Sequence, residues 1–185
     1  MNVVLIGYRC TGKTSVGIAL SKMLGKGFCD TDDYIEEKVK RPISDMVAKE
    51  GWAFFRAKEK EAIREVSSFQ NCVIAAGGGT ILDNENVKNL KKNGVVVLLE
   101  ATTQIIHERM RCDKRTDQQR PSLTGKDPFK EIEDVLEFRR PFYRGAMDFS
   151  VDTTSKSIDR ILDEILRKLR DHEGIDGRKH IRTGL

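Results

Sequence analysis

Five short apolar runs alternate along the chain with longer segments of helical periodicity. The apolar runs lie at residues 3–6, 28–29, 72–76, 95–99 and 149–151. Helical spacing of apolar positions is found at residues 13–24, 32–40, 53–66, 85–92, 103–111, 129–143 and 158–169. Short apolar runs rich in β-branched residues are typical of buried parallel strands. The pattern therefore predicts an α/β fold, a five-stranded parallel sheet with helices on both faces.

Length and charge narrow the class of protein. The 185 residues are enough for one domain, which we place at residues 1–170. Residues 171–185 are polar and are expected to form a mobile C-terminal tail. The 33 lysines and arginines exceed the 29 aspartates and glutamates, giving a net charge of +4. This mild excess suits anionic substrates and does not by itself indicate nucleic acid.

The pattern also argues against a membrane or secreted protein. No apolar run approaches the length of a membrane span, and the first apolar run begins at residue 3, so we expect no signal peptide. The four cysteines are scattered without a C-x-x-C pair, so neither a zinc site nor a disulfide framework is predicted. We expect a cytoplasmic monomer that binds neither membranes nor nucleic acid.

A phosphate-binding motif follows the first apolar run. Residues 7–14 read GYRCTGKT and match G-x-x-x-x-G-K-[ST], between a predicted strand and a predicted helix. Backbone N–H groups at a helix N-terminus favour a phosphate there. Lys13 is expected to reach the outer phosphates of a nucleoside triphosphate and act in catalysis, and Thr14 to bind Mg²⁺. The residues predicted to bind the nucleotide here are Cys10, Thr11, Gly12, Lys13, Thr14 and Ser15.

Acidic residues follow the second apolar run. Asp30 is placed to hold Mg²⁺ or its water across from Thr14, because a hard cation prefers oxygen ligands. Asp32 could accept a proton from a hydroxyl that attacks the outer phosphate. The alternative is that these residues cap the following helix, which would explain one of them more easily than all of them.

Three glycines and a threonine follow the third apolar run, at residues 77–80. Consecutive glycines let backbone approach a ligand closely and can expose N–H groups to an anion. The alternative is a flexible turn. The spacing does not match the G-x-G-x-x-G dinucleotide motif.

A basic segment lies at residues 109–120, with five lysines or arginines and two aspartates. A nucleic-acid patch is one interpretation, but no aromatic residue lies between the basic ones to stack on a base. A solvated loop is another, and a lid that closes over phosphates is a third.

Six motifs in order resemble those of shikimate kinases. They are GYRCTGKT at residues 7–14, DTD at 30–32, FRAKE at 55–59, GGGT at 77–80, RP at 120–121 and R-x-P-x-Y at 139–143. The resemblance covers residues 1–169 and implies a P-loop NTPase fold like that of nucleoside-monophosphate kinases. It also implies transfer of the ATP γ-phosphoryl group to the 3-hydroxyl of shikimate, a step of aromatic amino-acid synthesis.

The resemblance implies roles for four residues toward the acceptor. Asp32 would contact the ring hydroxyls of shikimate and serve as the base. Arg56 and Arg139 would pair with its carboxylate, aided by the backbone of Gly78. The planar fork of arginine suits a carboxylate bidentately.

It implies further roles toward ATP. Arg120 would reach the phosphates from a mobile lid at about residues 112–127 and act in catalysis. Arg109 and Lys156 would border the adenine, and Asp30 would support Mg²⁺.

Three positions depart from the family pattern. Cys10 stands where the family usually has glycine, Trp52 where an acidic residue often follows the glycine, and Ser122 where leucine is common. None of them removes a reacting group.

Three other functions could use a phosphate-binding loop of this kind. Another small-molecule or nucleoside-monophosphate kinase could use the same loop, because a phosphate acceptor can also bind arginines. A GTPase-like switch is disfavoured because no N/T-K-x-D motif follows a late strand. A catalytically dead binding module is disfavoured because Lys13, Thr14, Asp30 and Asp32 are all present.

Overall fold

The computed structural model describes residues 1–113 and 127–180, with the side chains of Pro128 and of residues 173–180 left aside. Arg120, Ser122 and nearly all of the predicted lid lie outside the described residues. In the described part, no helix is long and apolar enough to cross a lipid bilayer.

The five predicted strands form one sheet. They are β1 (Asn2–Ile6), β2 (Gly27–Asp30), β3 (Cys72–Ala75), β4 (Gly94–Glu100) and β5 (Phe149–Asp152). All neighbouring pairs are parallel, in the order β2-β3-β1-β4-β5. The predicted fold class is confirmed. Because β1 lies between β3 and β4, the strand order reverses beside it, and ligands of such sheets bind at this point beyond the carboxyl ends of the strands.

Seven helices connect or follow the described strands. They are α1 (Lys13–Leu24), α2 (Thr31–Val39), α3 (Ile43–Val66), α4 (Asn84–Lys92), α5 (Thr103–Cys112), α6 (Pro128–Ala146) and α7 (Ile158–His180). A short 3₁₀ turn at Thr80–Leu82, which the pattern did not predict, precedes α4.

Two helices are at least ten residues longer than predicted. α3 begins ten residues before the predicted start at residue 53, immediately after Pro42, which cannot continue a helix toward its N-terminus. Gly51 interrupts α3 with φ 80° and ψ 172°, so two helical segments meet there at an angle set by a glycine. α7 continues to His180 instead of ending at residue 169. The mobility of residues 171–185 stays a prediction.

The core lies on both faces of the sheet. Alternate residues of β1 point in opposite directions, so Val3 and Leu5 pack with one apolar cluster and Val4 and Ile6 with the other. The first cluster includes residues of α1 and α7, and the second includes residues of α3, α4 and α6. All five residues of β1 are at most 2% exposed. The strand that precedes the phosphate-binding motif is therefore buried against apolar clusters on both faces of the sheet.

Candidate active site

The phosphate-binding motif forms a loop between β1 and α1. Gly7 has φ 145°, and a Cβ atom there would lie 2.4 Å from the carbonyl oxygen of Leu99. Gly12 has φ 99° and precedes the first residue of α1. As a glycine, the N-cap residue has no side chain that could cap α1. The first turn of α1 contains no acidic residue either. Its N–H groups and its dipole are available to an anion.

Cys10 adopts a glycine-like conformation in this loop. Its φ of 60° lies in the left-handed region, which costs an L-residue roughly 1–2 kcal/mol. This explains why glycine is usual here in the family pattern. The thiol of Cys10 contacts the carboxylate of Asp113, with Sγ 3.6 Å from Oδ2.

Lys13 is held at the mouth of the loop. Its Nζ donates hydrogen bonds to the carbonyl oxygens of Gly7 at 2.9 Å and Tyr8 at 2.8 Å. The hydroxyl of Thr11 donates to the same Tyr8 oxygen at 2.8 Å. The ammonium group is thus oriented by backbone carbonyls five and six positions before it in the chain.

Thr14 and Asp30 meet across the carboxyl ends of β1 and β2. The Thr14 hydroxyl donates to Oδ2 of Asp30 at 2.8 Å. The other carboxylate oxygen, Oδ1, accepts from the backbone N–H of Asp32 at 3.1 Å and caps α2. Capping, the alternative interpretation, therefore accounts for part of what Asp30 does but leaves its second oxygen directed at Thr14.

Two cavities meet at this edge of the sheet. We call the first the loop cleft; it contains every residue of the motif from Cys10 to Ser15, together with Arg109, Asp113, Thr153 and Lys156. We call the second the arginine pocket; it is lined by Tyr8, Arg9, Lys13, Thr14, Asp30, Asp32, Ile43, Trp52, Phe55, Arg56, Glu59, residues 76–79 and Arg139. Lys13 and Thr14 line both. A group bound in one cavity can therefore face a group bound in the other across these two side chains.

Arg139 is a buried cation in the arginine pocket. The residue is 7% exposed, and its Nη1 donates to the carbonyl oxygen of Gly78 at 3.0 Å. Its Nε is buried without a hydrogen-bond partner among the described residues. A buried donor without an acceptor is costly, which favours a ligand that supplies one.

Tyr143 supports the same backbone oxygen. Its hydroxyl donates to the Gly78 carbonyl at 2.8 Å, beside Arg139. Burial raises the pKa of Tyr143 to about 12, so it remains a protonated donor at neutral pH. Tyr143 is the last residue of the R-x-P-x-Y motif, which does not by itself predict this contact.

Arg56 is held by a carboxylate that sequence reasoning left without a role. Its Nη1 donates to Oε2 of Glu59 at 2.6 Å, and Oε1 of Glu59 accepts from the Thr80 hydroxyl at 2.8 Å. Glu59 is 2% exposed, so its charge is compensated inside the protein. The i, i+3 spacing within FRAKE was the available signal.

Gly77 and Gly79 let the backbone lie directly against these charged groups. A Cβ atom on Gly77 would lie 2.8 Å from Oδ1 of Asp32 and 3.0 Å from Oε1 of Glu59. On Gly79 it would lie 2.4 Å from Nη2 of Arg56. Gly77 and Gly79 therefore permit a close approach of backbone to charged side chains, which a flexible turn alone does not explain.

Arg109 and Lys156 both line the loop cleft, and their contact with adenine stays a prediction. Arg109 donates to the carbonyl oxygens of Cys10 at 3.3 Å and Thr153 at 2.7 Å. The hydroxyl of Thr153 in turn lies 3.0 Å from the carbonyl oxygen of Thr11. Thr153, for which the sequence predicted no role, therefore connects the end of β5 to the phosphate loop.

The described residues contain no cluster of three or more histidine, cysteine, aspartate or glutamate side chains suited to a metal ion. Thr14 and Asp30 together offer hard oxygen donors, which suits Mg²⁺ bound mainly by phosphates and water.

Comparisons with known proteins agree on one family. A family model described as shikimate kinase matches residues 9–170. The chain is 46% identical over 177 residues to a shikimate kinase of Syntrophus aciditrophicus, covering 91% of each chain. A solved structure of shikimate kinase from Acinetobacter baumannii in complex with shikimate is 32% identical, with a TM-score of 0.86 over 92% of this chain and 93% of the other. Shikimate kinase from Aquifex aeolicus is 31% identical, with a TM-score of 0.79 over 94% and 98%.

Proposed function

The chain belongs to the shikimate kinase family, an ATP-dependent kinase family that phosphorylates a hydroxyl of shikimate, and we propose how its two cavities divide that work. ATP occupies the loop cleft and shikimate the arginine pocket, so that the γ-phosphoryl group passes to the 3-hydroxyl between them. One observation carries this assignment: Lys13 and Thr14 line both cavities. Phosphoryl transfer requires donor and acceptor in line, and this is where their ends would face each other.

On the nucleotide side, the residues from Cys10 to Ser15 bind the phosphates through backbone N–H groups and the charge of Lys13. Support comes from the uncapped N-terminus of α1 and from the position of Lys13 at the mouth of the loop. Arg109 and Lys156 border the adenine. Arg120, outside the described residues, stays a predicted phosphate contact.

On the acceptor side, Arg56 and Arg139 bind the carboxylate of shikimate. The unpartnered Nε of Arg139 and its donation to Gly78 support a planar anion at this position. The remaining exposed third of the Arg56 side chain supports access for the same anion. Asp32 orients the attacking hydroxyl and accepts its proton, since it lines the pocket that Lys13 also lines.

Mg²⁺ is the proposed metal. Thr14 and Asp30 would hold it or its water shell, and oxygen ligands with this geometry suit a hard cation. When bound, Mg²⁺ would offset the negative charge that develops on the phosphate oxygens. The monomeric state and the cytoplasmic location stay predictions, to be checked by light scattering and fractionation.

An acceptor panel tests the function. ADP release is measured with ATP and, in turn, shikimate, the methyl ester of shikimate, other hydroxylated acids and nucleoside monophosphates. We expect rapid turnover with shikimate, loss of turnover in EDTA and recovery with Mg²⁺. The methyl ester should show a raised KM because it lacks the charge that the two arginines bind. Faster turnover of a nucleoside monophosphate than of shikimate would overturn the proposal and indicate a nucleoside-monophosphate kinase.

A further inference from the structure

Trp52 lines the arginine pocket. It is the single tryptophan of the chain. It is the first residue after the helix break at Gly51 and is half-buried. We propose that Trp52 positions Arg56 for the acceptor carboxylate, as an aromatic clamp on its guanidinium group. This inference rests on the proposed function of the arginine pocket.

The contacts of the indole support a clamp. The Arg56 guanidinium carbon lies 5.5 Å from the centroid of the Trp52 ring and 5.2 Å from that of Phe55. The two rings pack edge to face, with centroids 5.9 Å apart. Trp52 and Arg56 are four residues apart on one helical segment, so their side chains lie on the same face. A guanidinium against an aromatic face is attracted by the ring quadrupole.

Other contacts restrict Arg56 on its remaining sides. Glu59 accepts from Nη1 at 2.6 Å, and Gly79 lies so close that a Cβ there would be 2.4 Å from Nη2. The side chain is nevertheless 33% exposed and lines the pocket. Arginine loses considerable rotamer freedom when it is immobilised, and a group fixed before binding loses less of it on binding.

The electrostatic consequence separates an aromatic clamp from an acidic one. Within the described residues, Glu59 is the acidic partner that contacts Arg56. A second carboxylate at position 52 would also orient the guanidinium, but it would compete with the carboxylate of the acceptor. An indole orients the guanidinium without adding negative charge, so the pocket keeps its attraction for an anion.

Gly51 places the clamp. Its φ of 80° is accessible to glycine, and a Cβ there would meet no heavy atom within 4 Å. The glycine is therefore needed for backbone conformation and not for space. The resulting turn of the chain starts the second half of α3 at Trp52, with its indole toward Arg56.

The test compares Trp52→Leu and Trp52→Phe. We expect Trp52→Leu to raise the KM for shikimate about 3- to 30-fold, while kcat and the KM for ATP stay within about twofold. Trp52→Phe keeps an aromatic face and should recover most of the loss. Phe54→Leu is the matched control, because Phe54 lies in the same helix beneath Arg41 and Lys58 and does not line the pocket.

A double-mutant cycle excludes a merely structural effect. In an Arg56→Leu background, Trp52→Leu should change shikimate affinity by less than about twofold, because the partner of the clamp is absent. Circular dichroism and thermal unfolding check that each variant is folded, and the cycle corrects for a general loss of stability. In the wild-type protein, shikimate without ATP should also change the fluorescence of Trp52.

Each remaining outcome decides against a specific claim. An unchanged KM for shikimate in folded Trp52→Leu, or the same increase with and without Arg56, would overturn the clamp while leaving the proposed function intact. Absence of shikimate turnover in the wild-type protein would overturn both. An equal rise in the KM for ATP would show that the side chain acts on the whole active site and not on acceptor binding.

Discussion

The loop cleft and the arginine pocket are built in different ways. The loop cleft takes its main ligand groups from consecutive residues, and Lys13 is oriented by carbonyls at most six positions away. The arginine pocket takes charged side chains from α2, α3 and α6 and backbone from the residues after β3, and Arg139 reaches the backbone oxygen of Gly78 across 61 residues. The loop cleft is a local backbone structure at the end of a buried strand. The arginine pocket forms only when four elements pack together.

This difference predicts different effects of mutation. Substitutions in the loop remove a charge that acts at the transferred group, so they should lower turnover while the fold persists. Substitutions in the arginine pocket should chiefly weaken binding of one substrate. Asp32 lines the arginine pocket, but its proposed role is to accept a proton during the reaction. A substitution of Asp32 should therefore lower turnover more than it weakens substrate binding.

The largest effect is expected for Asp32→Asn. The amide keeps the shape but cannot accept a proton as a carboxylate does, so turnover should fall by about two to four orders of magnitude with nearly normal ATP binding. Single-turnover kinetics and a nucleotide titration measure the two quantities. Asp33→Asn, one position along on an exposed side chain, is the control.

Asp30→Asn should behave differently from Asp32→Asn. Its turnover should recover in part when Mg²⁺ is raised, because Asp30 is assigned to the metal and its water. If excess Mg²⁺ restored the Asp32 variant and not the Asp30 variant, the two carboxylates would have been assigned in reverse.

The next largest effect is expected for Lys13→Ala. Loss of a charge at the β- and γ-phosphates should reduce kcat about a hundredfold, equivalent to roughly 2.7 kcal/mol of barrier. The melting temperature should change little, because the loop backbone keeps its local contacts. Lys22→Ala, on the exposed side of the same helix, serves as the control. Near-normal kcat in a folded Lys13 variant would remove the loop cleft from the reaction.

Arg139→Lys should affect one substrate only. Lysine keeps the charge but loses the planar fork, so the KM for shikimate should rise by about tenfold to a hundredfold, with the KM for ATP little changed. Arg140→Lys, its exposed neighbour on α6, should leave both constants unchanged. Equal losses for both substrates in the Arg139 variant would mean that this arginine also serves the nucleotide.

The smallest effect is expected at Cys10, and it concerns stability. Glycine relieves the left-handed backbone but gains freedom in the unfolded chain, so Cys10→Gly should stay within about 1 kcal/mol of the wild-type free energy of unfolding. Cys10→Val should lose about 1–2 kcal/mol more, because a β-branched residue tolerates this φ poorly. Urea unfolding measures both, and Cys112→Ala, on an exposed thiol, is the control. A valine variant as stable as the wild type would show that the loop relaxes to another backbone conformation.

Much of the fold could be predicted because its signals are local. All five strands were located from apolar runs, and the phosphate loop from eight consecutive residues between a strand and a helix. The first half of α3 was missed because Gly51 divides it from the predicted segment, and helical periodicity is hard to detect across such a break. The end of α7 was missed because polar residues can extend an exposed helix without an apolar pattern.

The pocket was less accessible to sequence reasoning by itself. Arg56, Gly78 and Arg139 were selected through family resemblance, not through spacing, and their roles toward shikimate stay predictions. Glu59 and Thr153 were left without roles. Their contacts join residues 21 positions apart, from Glu59 to Thr80, and 142 apart, from Thr153 to Thr11. No local pattern encodes such distances.

The sequence by itself determined the strand, loop and helix that present Lys13 and Thr14, because backbone conformation over eight residues follows from local steric limits and local hydrogen bonds. Only the tertiary structure decided that Glu59 contacts Thr80, that Thr153 reaches Thr11 and that Arg139 lies against Gly78. Those pairings depend on the strand order β2-β3-β1-β4-β5, and that order is set by packing of the whole core and not by any single segment.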